Sequence, residues 1–120
     1  MAKSILVAED DKMMLSLLEF KLKKEGFVPI LAEHGMKAKE ILQTEKPDLI
    51  LIDIMMPFLN GLELTSYIRN DLKLTVPIMI LSSAGQEDMV MKAFSLGAND
   101  FVPKPFSPNE LIIRIKRMLQ

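Results

Sequence analysis

Short apolar runs punctuate this chain at regular intervals, and between them apolar residues recur three and four positions apart. Ile5-Leu6-Val7-Ala8 and Leu49-Ile50-Leu51-Ile52 are unbroken, as strands buried on both faces of a sheet must be. The pattern predicts strands at about 4–8, 28–32, 48–52, 77–81 and 100–102. Between them Leu15, Leu18 and Leu22 share a helical face. So do Ala38, Ile41 and Leu42, then Leu64 and Ile68, then Val90 and Phe94, and finally Leu111, Ile115 and Leu119. Gly26, Gly61 and Gly97, with Pro47, Pro77 and Pro108, fall at the boundaries this division requires. Strand and helix alternating in this way predict an α/β fold: a single doubly wound, five-stranded parallel sheet with five helices on its two faces. A chain of 120 residues, 49% of them hydrophobic, suits one domain spanning 1–120, and no internal repeat or low-complexity linker divides it.

The polar residues that end these runs are what the packing pattern leaves unexplained. Asp53 closes the third run and is followed by Ile54-Met55-Met56-Pro57 and Asn60-Gly61. A carboxylate at the end of a strand buried on both faces is costly to hold, which favours a reacting group or metal ligand over a packing role. Glu9-Asp10-Asp11 closes the first run, Ser82-Ser83 the fourth, and Lys104-Pro105-Phe106 follows Phe101-Val102-Pro103. In an open doubly wound sheet the active crevice lies beyond the carboxyl ends of the strands. Glu9 and Asp10 are therefore expected beside Asp53, with Ser82 and Ser83 on one side and Lys104 on the other. Three carboxylates so close repel one another unless a cation is bound among them. All-oxygen ligands suit Mg²⁺, whereas Zn²⁺ would want histidine or cysteine. An ionised aspartate can attack phosphorus without a general base, and a divalent ion, a lysine and a small hydroxyl can neutralise the transferring oxygens. Asp11 is expected to open the first helix, and His34, the single histidine, to be a surface residue before Gly35.

Composition narrows the function classes. Fifteen Lys and Arg against sixteen Asp and Glu leave a net charge of -1, so no basic surface draws nucleic acid or anionic lipid directly. The absence of cysteine excludes disulfides and thiolate metal sites. No apolar stretch approaches a membrane span, and the opening residues do not read as a signal peptide, so a cytoplasmic location is expected. Ten methionines look like core filler, but Met89 and Met91 straddle Val90 and cannot all face inward.

In this order and spacing the motifs resemble the receiver domain of two-component response regulators, the group that includes the chemotaxis protein CheY, from about Lys3 to Leu119. The resemblance implies a flavodoxin-like, CheY-like fold and a signalling switch that modifies only itself. Asp53 then resembles the phosphoacceptor, Asp10 the direct Mg²⁺ ligand, Glu9 a carboxylate acting through water, and Met55 the donor of a backbone carbonyl to the metal. Ser82 resembles the switch hydroxyl, Lys104 the phosphoryl-pairing lysine ahead of a cis proline, Pro105, and Phe101 the aromatic that changes rotamer on activation. Many receivers carry tyrosine at that last position. Without a hydroxyl to satisfy, Phe101 is expected to favour its buried rotamer before phosphorylation. Met55 and Ala84 stand where fast-turnover receivers carry polar groups, which implies a long-lived phosphoryl group.

The implied partners are a sensor histidine kinase or phosphotransfer protein and an output partner that reads the face of helix four, strand five and helix five. Asp100, Glu110 and Arg114 match charged positions of a dimer interface seen in winged-helix regulators, whereas Val90 and Ser95 depart from that pattern. Monomer and phosphorylation-dependent homodimer are both open. Two other classes compete. A pseudo-receiver would act as an interaction module without phosphate, although it usually loses the acidic pair or the lysine. A haloacid-dehalogenase-like phosphatase would want a second aspartate two positions beyond the first, where this chain has Met55.

Overall fold

In the computed structural model, which describes residues 2–120, five parallel strands form one sheet in the order β2-β1-β3-β4-β5. They are β1 (Ser4–Ala8), β2 (Val28–Ala32), β3 (Leu49–Asp53), β4 (Ile78–Ser82) and β5 (Asp100–Pro103). The third and fourth strands begin and end one residue later than the sequence pattern places them. The helices are α1 (Lys12–Lys24), α2 (Gly35–Ile41), α3 (Gly61–Ser66), α4 (Glu87–Ser95) and α5 (Pro108–Met118). A π-helical turn over Tyr67–Asp71 prolongs α3.

Alternation along the strands decides which helix goes where. Leu6, Ile50, Ile52, Ile78 and Ile80 point to one face and bury Ala38, Leu64 and Val90 from α2, α3 and α4, with Ile68 from the π-helical turn. Ile5, Val7, Leu49, Leu51 and Met79 point to the other, against Leu15 and Leu18 of α1 and Leu111 and Ile115 of α5. Both faces are covered, so the central strands β1, β3 and β4 carry the unbroken apolar runs. The prolines sit at the edges. Pro29 lies in β2 and Pro103 in β5, each paired on one side only, where a missing N–H breaks no ladder.

Helix starts carry their own locks. Asp11 accepts from Met13 and Met14 N–H at α1, and Ser107 from Glu110 N–H at α5. Asn60 and Glu63 cap α3 reciprocally, a capping box that fixes the loop leaving Asp53. His34 caps α2 by accepting from Lys37 N–H on Nδ1, part-buried at the surface. On α4, Val90 is buried and Met91 is 69% exposed, while Met89 is partly covered. Phe94 departs from its expected inward position and is 38% exposed. The last helix stops at Met118 with Leu119 as its cap, half-buried against the α1/α5 core.

Candidate functional site

The reversal of strand order between β1 and β3 opens a crevice at the carboxyl edge of the sheet, as this topology requires. Glu9 N–H donates to Ala32 O at 3.1 Å, which continues the β1–β2 ladder one residue past β1 and fixes Glu9 in a fully buried position. Asp53 ends β3 and is 6% exposed. Its Oδ1 accepts from Met55 N–H at 3.1 Å, and its Oδ2 from Lys104 Nζ at 3.2 Å. The same ammonium donates to Glu9 Oε1 at 2.9 Å. Lys104 is held beside β4 by its N–H on Ser82 O, and the Lys104–Pro105 peptide is cis.

Glu9, Asp10 and Asp53 each offer a carboxylate oxygen, all within 4.8 Å of one another. Glu9 and Asp53 are buried and Asp10 is exposed. Burial, and then the neighbouring Asp53 carboxylate, push the Glu9 carboxyl up to about 8 against the pull of Lys104. Burial works to lower the Lys104 ammonium, but its hydrogen bond to Glu9 and the charge of Asp53 outweigh this and hold it above its ordinary value. One ammonium thus leaves the cluster short of positive charge. Hard oxygen donors with unbalanced negative charge fit a divalent cation of the Mg²⁺ type.

Ser82, at the end of β4, is buried, whereas Ser83 and Ala84 are exposed. Ser83 N–H donates to Gln86 Oε1, which belongs to the turn into α4. Beside them a cavity of about 480 Å³ lies between α4 and β5, lined by Ser82, Val90, Met91, Phe94 and Phe101 among others. Phe101 is half-buried rather than enclosed, with its ring edge-on to Phe94 at 6.0 Å. Asp100, Glu110 and Arg114 cluster at the start of β5 and on α5. Arg114 lies 3.3 Å from Asp100 and 3.4 Å from Glu110, and also donates to Phe101 O.

The four strand-end residues predicted from sequence, Glu9, Asp53, Ser82 and Lys104, do gather at this edge, and Asp10 joins them. Two contacts were not foreseen. The Lys104–Glu9 ion pair joins residues 95 positions apart, a separation no local pattern encodes. The Met55 N–H on Asp53 belongs to the backbone and leaves no mark in residue identity.

A model of the response regulator receiver domain matches residues 5–116. The chain belongs to that family. The alkaline phosphatase synthesis transcriptional regulatory protein PhoP of Bacillus subtilis (strain 168) is 39% identical over 120 residues, all of this chain and 50% of that protein. The chain therefore spans about half the length of this curated relative. The receiver domain of the Francisella response regulator 1452 matches with a TM-score of 0.89 at 32% identity, over 98% of this chain and 96% of that one. A CheY-like receiver domain protein from Methanospirillum hungatei JF-1 reaches 0.93 over 99% and 94% of the two chains; at 24% identity it speaks for the fold alone. This receiver is accordingly a two-component signalling domain with a CheY-like fold. Among its described residues no helix is long and apolar enough to cross a membrane.

Proposed function

We infer that the receiver accepts a phosphoryl group on Asp53 from a histidine kinase or phosphotransfer protein. The observation that carries this is the Lys104 ammonium shared between Asp53 and Glu9 within the three-carboxylate cluster. An Asp53 oxygen attacks phosphorus and forms the new P–O bond. The P–N bond of the donor breaks with its electron pair returning to nitrogen, and the imidazole, protonated on its other nitrogen, leaves neutral. Mg²⁺ held by Glu9, Asp10, Asp53 and the Met55 carbonyl would supply charge neutralisation for the phosphoryl oxygens. Met55 N–H orients one Asp53 oxygen. Lys104 stands ready to exchange its contact with the bare carboxylate for an oxygen of the attached phosphoryl group.

The output is a shift of population by a local charge. Ser82 moves toward the phosphoryl oxygens, Phe101 turns into the cavity beside it, and the face of α4, β5 and α5 changes its affinity for an output partner. Asp100, Glu110 and Arg114, already paired within the chain, would exchange these contacts for the same residues of a second copy if this face dimerises.

Incubation with Mg²⁺ and acetyl phosphate, read by intact mass, tests the proposal. A stable gain of one phosphoryl group that Asp53→Asn loses is expected, and Asp53→Asn will keep the fold because it removes one of three mutually repelling carboxylates. Turnover to free phosphate would identify a phosphatase, and no change a pseudo-receiver.

A further inference from the structure

Helix α1 is apolar on the side that faces away from the sheet as well as on the side that packs against it. Leu15, Leu18 and Leu22 are buried inward, while Met13, Leu17 and Phe20 are 84%, 44% and 66% exposed. Those three recur at spacings of four and three residues, so the helical repeat aligns them in one stripe opposite the buried leucines. Packing within the chain leaves it uncovered. A four-three spacing is the seam by which one helix packs along another, and Lys24, four residues on, continues the line with its aliphatic stem.

The charges at the two ends of the stripe select what it meets. Asp10 and Asp11 are exposed where the chain enters the helix, and Lys23 and Lys24 are exposed in its last turn. Lys23 pairs with Glu19 at 3.2 Å, whereas among the described residues Asp10, Asp11 and Lys24 form no ion pair. A helix acidic at its start and basic at its end is complementary to an antiparallel copy of itself. Parallel copies would set carboxylate against carboxylate and ammonium against ammonium. Asp10 and Lys24 stand equally far from Leu17 in the chain, so an antiparallel pair centred on Leu17 brings each acidic end to the other's Lys24. The same acidic entry, beside Met13, disfavours an anionic lipid surface on this stripe.

We propose that two copies of this chain pair through α1, antiparallel about a two-fold axis at Leu17. Met13, Leu17 and Phe20 form the seam, and Asp10 of each copy meets Lys24 of the other. The interface is isologous, so it closes at two copies. One helix of 13 residues gives a seam only about 20 Å long, which puts the pair in the small, weak class, with a dissociation constant on the order of 100 μM. No residue of α4, β5 or α5 takes part, and phosphorylation is not required. Asp10 is the exposed member of the carboxylate cluster, so pairing sets a lysine of the second copy at the mouth of the crevice.

Sedimentation equilibrium of the unphosphorylated chain in EDTA at low salt, up to about 1 mM, tests the pairing. Wild type will fit a monomer and dimer in equilibrium. Leu17→Glu, which sets two carboxylates against each other on the axis, will stay monomeric with the melting temperature of wild type. Lys24→Glu and Asp10→Lys will each weaken self-association about tenfold, because each sets like charges together at both ends. Mixed with one another, these two variants will form a heterodimer as tight as the wild-type pair, since every end then meets an opposite charge, and a misfolded variant cannot produce that rescue. A wild type still monomeric at about 1 mM would overturn the proposal, as would a mixture no tighter than its parts. So would a dimer that survives Leu17→Glu and is lost in Arg114→Glu, which would give the contact to α4, β5 and α5. Cosedimentation of a monomeric wild type with phosphatidylglycerol vesicles, or its saturable binding to a histidine-kinase core, lost in Leu17→Glu, would overturn it by giving the stripe to another occupant.

Discussion

At the scale of single residues, the chemistry of this receiver turns on side chains that flank Asp53 without reacting. Met55 holds the Asp53 carboxylate through its N–H and presents an exposed thioether chain; Ala84, two residues beyond Ser82, is also exposed. Neither can orient a water in line with a phosphoryl bond, so if Asp53 is the acceptor proposed above, hydrolysis of its phosphoryl group will be slow. Met55→Asn with Ala84→Glu is expected to shorten the phosphoprotein lifetime by about tenfold or more, equivalent to roughly 1.4 kcal/mol of barrier. Acid-quenched decay in Mg²⁺ buffer, with the donor removed, checks it; a wild-type lifetime of seconds, unchanged in the double variant, contradicts it. Asp53, Glu9 and Lys104 were legible in the sequence because each breaks an apolar run where packing alone would keep it going. The backbone at Phe58, in the loop after Asp53, was not. Its φ of 70° falls where no glycine or asparagine announces a left-handed residue, and His34 caps a helix although histidine is no favoured cap.

At the scale of elements, the join between β3 and α3 sets the geometry around Asp53. A Cβ at Gly61 would stand 2.7 Å from Ile54 Cα and 3.0 Å from Asp53 O, so only glycine lets α3 start this close to the strand. Gly61→Ala must push helix and strand apart. It is expected to cost about 1–3 kcal/mol and to slow labelling of Asp53 by acetyl phosphate, since the displaced backbone carries both Asp53 and the Met55 N–H. Gly26→Ala provides the contrast. Gly26 has φ of 88° with nothing within 4 Å of an added Cβ, so its cost of about 1 kcal/mol is conformational and labelling stays intact. Urea unfolding and labelling rates separate the two. All five strands and the order of the helices were readable from periodicity, because strands buried on both faces cannot disguise their composition. The π-helical turn after α3 was not; its Arg69 donates to Gly97 O and Asn99 Oδ1, contacts with a distant segment, and to the nearby Leu74 O, none of which residue identity announces.

At the scale of the whole molecule, the acidic centre trades stability for readiness to bind a cation. Glu9 titrates near 8 when folded against 4.5 for an ordinary glutamate. Between these pH values the folded chain keeps a proton that the unfolded chain has released, so raising the pH strips it from the native state. Without a divalent ion, stability from this group is fully present below pH 4.5 and is lost as the pH climbs through 8, at up to about 1.4 kcal/mol per pH unit for one proton. Lys104 is shifted up from 10.5, so its contribution is lost only above that pH and does not enter this window. The Mg²⁺ site proposed above needs Glu9 ionised and exists only in the native fold, so its affinity is expected to rise with pH up to about 8 and then level. Urea unfolding in EDTA and in Mg²⁺ at pH 6, 7, 8 and 9 will show the metal's stabilising increment growing and then reaching a plateau. Glu9→Gln will flatten the metal-free pH profile, and Asp10→Ala will remove the Mg²⁺ increment at every pH. The same pH slope in Glu9→Gln as in wild type would place the titrating proton elsewhere, and with it the group that makes this cluster wait for a cation.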